Sequence, residues 1–113
     1  MASTIDPETE LERQLLDDPR LRAGLDWGQP RFGHPEGRVA DHVAAMLTAI
    51  PADDPLRSDL RFLALVHDSF KAEVRPREPW SPGNDHAVLA RRFAEHYTAE
   101  ERLLAALELH AEP

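Results

Sequence analysis

Apolar residues recur along the chain at the three-to-four-residue spacing of amphipathic helices, and no stretch alternates convincingly as a half-buried strand would. Leu11, Leu15 and Leu16 predict a first helix near 7–17, with Thr4 or Asp6 as its cap and Pro7 in its first turn. Asp18-Pro19 interrupts it, and a short helical turn through Leu21 and Leu25 ends at Gly24 or Gly28. Residues 26–37 contain three glycines and two prolines, the composition of an ordered loop that Trp27 and Phe32 can pin to the core. Val39, His42, Val43, Met46, Leu47 and Ile50 share one face of a second helix near 37–50. Leu56, Leu60, Leu63, Ala64, Val66 and His67 mark a buried third helix near 55–70. Pro76, Pro79, Pro82 and Gly83 make 73–84 an irregular loop. A fourth helix near 84–97 starts at a cap on Asn84 or Asp85 and carries Val88, Leu89, Phe93 and Tyr97. Thr98 and Glu101 have capping-box spacing for a fifth helix, whose inner face is Leu103, Leu104, Leu107 and Leu109. The pattern predicts one all-α domain over 1–113, a compact bundle of about five helices with its core in 33–110 and residues 1–6 frayed.

Composition narrows the function. With 42% apolar and 30% charged residues in 113, the chain has a globular makeup and enough length for one modest core. A net charge of −8 repels polyphosphate and anionic lipid, which disfavours nucleic acid and membrane surfaces as partners. No cysteine is present, which excludes disulfides, a thiolate nucleophile and a thiolate zinc site. No apolar stretch approaches the roughly 18 residues of a membrane span, and the N-terminus lacks a signal-peptide pattern. A cytoplasmic protein is the expectation. Ser69 has no glycine-rich nucleophile elbow around it, and neither a P-loop nor a dinucleotide fingerprint occurs.

Candidate chemistry concentrates where the third apolar run ends, at Leu63-Ala64-Leu65-Val66-His67-Asp68-Ser69-Phe70-Lys71. An imidazole and a carboxylate at the end of a buried segment cost free energy unless something uses them. A divalent metal uses both. His42 lies 25 residues upstream of His67 on the apolar face of its own helix, and antiparallel helices would bring the two together. Imidazole nitrogen with carboxylate oxygen suits Mn, Fe, Co, Ni, Zn or Mg. The structural alternative is a core histidine at 42 and a capped helix end at 67–68.

Three segments together, Gly33-His34-Pro35-Glu36-Gly37-Arg38-Val39-Ala40-Asp41-His42-Val43, then Leu63 to Lys71, then Gly83-Asn84-Asp85-His86-Ala87, resemble the HD-domain superfamily of metal-dependent phosphohydrolases. The first segment looks most like the HD domain attached to bacterial tRNA nucleotidyltransferases. The resemblance covers roughly 33 to 97 and implies an all-α bundle holding a divalent metal and hydrolysing a small phosphomonoester, phosphodiester or nucleotide. It implies His42, His67 and Asp68 as metal ligands, Asp68 and Lys71 as catalytic residues, and His86 as a phosphate contact or second-metal ligand. The family's last ligand is an aspartate in a later helix. This chain has no aspartate after Asp85, and Glu108 and His110 lie where that ligand would be sought. Arg38 is a further candidate phosphate contact, and Arg75 and Arg77 could form a basic lip. A catalytically inactive module that binds a nucleotide or a protein is the alternative function.

Overall fold

The computed structural model describes residues 5–28 and 37–110, and among these it is all-helical, with no strand. Six α-helices follow one another: α1 Glu10–Asp17, α2 Pro19–Asp26, α3 Val39–Ala49, α4 Arg57–Val66, α5 His86–Ala94 and α6 Glu101–Leu109. Short 3₁₀ turns occupy Lys71–Glu73 and Pro82–Asn84. None of these helices is long and apolar enough to cross a membrane. The expected short turn after Asp18 is a full helix, because Asp18 and Pro19 begin one. Asp18 accepts hydrogen bonds from Arg20 N and Leu21 N, and Pro19 takes the first position, where a missing N–H costs nothing.

Other caps moved. Helix α1 starts at Thr9, whose hydroxyl accepts from Glu12 N, and Asp6 is not its cap. Glu12 in turn accepts from Glu8 N, so Thr9-x-x-Glu12 works much as a capping box. At α5 the cap is Asp85, which accepts from Ala87 N and Val88 N, and Asn84 has another task. Helix α6 has no side-chain cap, since Thr98 accepts from Glu100 N instead of Glu101 N. Thr4, Phe32 and His34 lie outside the described residues.

The core is the meeting of the apolar stripes. Leu15, Leu21, Val43, Leu65, Val66, Phe70 and Leu107 are fully buried. Phe70 packs on Phe93 with ring centroids 4.9 Å apart, and the Arg20 guanidinium covers Phe70 at 4.8 Å. Helix α3 buries Val39, Val43 and Leu47 as its periodicity predicts. The expected burial fails at Leu56, Leu60 and Leu109, which are exposed, and Trp27 is 41% exposed rather than pinned in the core. Helix α2 does not end at Gly24, which lies inside it, and two positions owe their role to distant parts of the chain. Gly24 passes so close to the Ser69 carbonyl that a Cβ there would lie 1.7 Å from its oxygen. Arg61 of α4 is buried against Glu12 of α1, with Nη2 2.8 Å from Oε1 and a further bond to the Asp6 carbonyl.

Candidate metal centre

Helix α4 ends at Val66, four residues before the apolar run suggests, and this early end creates the centre. Successive side chains on an unbroken α-helix diverge by about 100°. Here the chain tightens into turns, with Ser69 N donating to the Val66 carbonyl and Lys71 N to the Asp68 carbonyl. The Ser69 hydroxyl donates to the Leu65 carbonyl at 2.7 Å and ties the turn to its helix. His67 and Asp68 therefore face the same point, and Asp68 is only 9% exposed.

Five cationic or potentially cationic groups surround that carboxylate. Its Oδ2 is 3.1 Å from His67 Nε2, 3.6 Å from Lys71 Nζ and 3.8 Å from His42 Nε2. Its Oδ1 is 3.6 Å from His110 Nε2 and 4.0 Å from His86 Nε2. Among the described residues, two groups of side chains could hold a metal ion, His42–His67–Asp68 and Asp68–His86–His110, each with ligand atoms within 4.8 Å of one another. Asp68 belongs to both. The imidazoles come from α3, from the end of α4, from the start of α5 and from the end of α6, so four helices must dock before the centre exists.

The nitrogen chemistry tests whether a cation fits. His67 Nδ1 lies 3.2 Å and 3.1 Å from the carbonyl oxygens of Leu63 and Ala64, so it carries a proton and donates. In the neutral ring Nε2 is then a bare lone pair, yet it faces a carboxylate oxygen at 3.1 Å. His110 repeats the pattern, with Nδ1 donating to the Leu107 carbonyl and Nε2 turned to Asp68. Two acceptors face each other in both places. A second ring proton resolves this, and so does a cation held by nitrogen and carboxylate together.

Electrostatics follow the same geometry. Burial pushes the Asp68 carboxyl up, but hydrogen bonds from His110 and His67 and the charges of His67 and Lys71 outweigh it and hold the group far below the usual carboxylate range. His110 is raised, chiefly by its bond to Asp68. His86 is lowered, first by burial and then by the charge of His110. A neutral His86 beside a cationic centre is available as a ligand.

Lys71 and His86 also line a cavity of about 540 Å³, whose other described walls are Trp27, Ala72, Val74 and Pro76. Asn84, 5% exposed, holds that proline-rich wall. It accepts from Arg75 N at 2.6 Å and donates to the carbonyls of Arg75, Glu78 and Pro79. Its burial is invisible in a sequence where Asn before a helix reads as a cap. Arg38 pairs with Asp26 and Asp41 and belongs to neither candidate ligand group. Arg75 pairs with Glu78, and Glu108 faces Arg91 at 3.9 Å. Of the residues considered for the last ligand, His110 is the one that reaches Asp68. Comparison of the chain with protein-family models, curated proteins and solved structures found no match in any of the three.

Proposed function

We propose that this domain is a metal-dependent phosphohydrolase acting on a small phosphomonoester, phosphodiester or nucleotide, the activity implied by its resemblance to the HD-domain superfamily. The observation that supports it is the convergence of four imidazole nitrogens and Lys71 on one buried carboxylate, Asp68. In this reading His42, His67 and Asp68 form the first ligand set, and His86 and His110 form the second with the other oxygen of Asp68. A divalent ion held there supplies positive charge that polarises a phosphoryl oxygen and acidifies water. Lys71, about a third exposed, bridges Asp68 and the cavity, where its ammonium offsets the negative charge that grows on the phosphoryl oxygens. Asn84 keeps the cavity wall in place.

Elemental analysis of the purified protein and a screen of phosphomonoesters and cyclic nucleotides test this together. Asp68→Ala is expected to lose both bound metal and hydrolysis. Lys71→Ala is expected to keep its metal and lose about 10²-fold in kcat. An Asp68→Ala protein with unchanged metal content and rate would sink the proposal. The absence of an aspartate after Asp85 favours a second reading, a catalytically inactive module that binds a nucleotide or a protein. A metal-free protein that still binds nucleotide selects it.

A further inference from the structure

Two helices carry apolar stripes that run into the candidate metal centre. On α4 and its N-cap the stripe is Leu56, Leu60, Leu63 and His67, at intervals of four, three and four residues. On α6 it is Leu103, Ala106, Leu107 and His110, and the last residue of each stripe is an imidazole facing Asp68. Between the stripes lies a half-open groove of about 250 Å³ lined by Met46, Leu60, Leu63, Ala64, Ala106 and Leu107, with His67 and His110 at one end. No carboxylate, ammonium or guanidinium is among its described lining residues. The spacing of Leu56 and Leu60 is that of residues meant for burial, yet they are 50% and 36% exposed. The chain has patterned an apolar face here and has not covered it with its own described residues.

We infer that this groove holds the apolar substituent of a phosphorylated ligand whose phosphate lies at the candidate metal centre. The ligand class is an alkyl or aryl phosphate ester. The inference rests on the proposed phosphohydrolase reading and adds substrate class to it. Three features choose this occupant. The groove ends on His67 and His110, so whatever fills it is joined to whatever the centre holds. Its volume is that of roughly eight water molecules, enough for an alkyl or aryl group but not for a packed helix about 10 Å across. Its lining offers almost nothing to the ring nitrogens and exocyclic groups of a nucleobase, which would leave hydrogen bonds unmade. The cavity with Lys71 and His86 is a separate space, free for the polar remainder of the ligand.

Calorimetric titration of the metal-loaded protein with non-hydrolysable alkylphosphonates, methyl through octyl, tests the inference without relying on turnover. Affinity is expected to rise about two- to fourfold per methylene until the groove is full, then to level off. Ala106→Trp narrows the groove from an exposed position on α6, and it should flatten the series while leaving methylphosphonate affinity unchanged. Leu60→Asp, also at an exposed site, should do the same. A wild-type affinity independent of chain length overturns the inference, as does failure of every phosphonate to bind. A flat series accompanied by self-association that Leu60→Asp abolishes assigns the groove to a second copy of the chain, and overturns it too. These results are separable from the phosphohydrolase reading, which is decided by metal content and hydrolysis in the wild-type and Asp68→Ala proteins and not by the length of the alkyl chain.

Discussion

Tyr97 donates its hydroxyl to Asp18 at 2.6 Å, and this bond between the N-cap of α2 and the segment after α5 makes a pH probe outside the two candidate ligand groups. The bond to Asp18 raises the phenol to about 12. Burial pushes Asp18 up, but the Tyr97 hydroxyl, the amides of Arg20 and Leu21 and the Arg20 charge together hold its carboxyl below the usual range. The two signs bracket a window. Asp18 contributes stability that is full above about pH 4 and lost as pH falls through its folded value. Tyr97 contributes stability that is full below about pH 10 and lost as pH rises toward the folded value of about 12. Ultraviolet titration is expected to show the phenol ionising near the raised value, and in Asp18→Asn, which keeps the cap oxygen, to show it closer to its ordinary one. At the centre itself, His110 is held above the ordinary imidazole range by its bond to Asp68 and must give up its extra proton to bind a metal, so retention should fall as pH drops from neutral into the acid range. Equilibrium dialysis across that range measures it, and pH-independent retention would remove the histidines from the ligand set.

The elements around Asp68 are short, and the loops between them carry much of the positioning. Helix α2 can lie against the turn after α4 only because residue 24 has no Cβ. Gly24→Ala meets the Ser69 backbone, which cannot swing aside as a side chain would. The expected cost is about 3 kcal/mol or more, read from chemical denaturation, with loss of metal affinity because Ser69 adjoins Asp68. Asp85→Ala should cost about 1 kcal/mol by uncapping α5 and should loosen His86, its first residue. The last turn of α6 ends at His110, one of the imidazoles facing Asp68. Added divalent metal is therefore expected to slow amide exchange in the last turn of α6, and His110→Ala to abolish that slowing.

At the scale of the whole molecule, the Glu12–Arg61 pair ties the N-terminal helix to α4, and with it to the turn that bears Asp68. Both side chains are almost completely buried, so breaking the pair leaves a charge in the interior. Glu12→Ala is expected to destabilise the fold by about 3 kcal/mol, partly relieved because Glu8 lies 3.4 Å from Arg61 and can still compensate it. Joint replacement of Glu12 and Arg61 by apolar residues of similar volume should recover most of the loss, and a double-mutant cycle in urea decides it. A ligand centre that needs four helices should also couple metal to global stability. Saturating metal at about 100 times Kd is expected to add about 2.7 kcal/mol to unfolding, absent in Asp68→Ala.

Apolar spacing alone determined the helical class, the inward face of α3 and the end of an apolar run at His67-Asp68. These are local properties, set by a period of 3.6 residues and by residues that start or stop a helix. The Thr9-x-x-Glu12 spacing was also open to reading, and so was Asp18-Pro19 as a helix start rather than only a break. Other features depend on parts of the chain that are distant in sequence. His86 and His110 reach Asp68 because α5 and α6 fold back beside the end of α4. Gly24 is required by Ser69, the buried Glu12 has its partner in Arg61, and Asn84 faces carbonyls of a loop instead of its own helix. Leu56, Leu60 and Leu109 have the spacing of core residues but face outward. Their exposure is a property of which helix packs beside which, and local pattern carries no information about that choice.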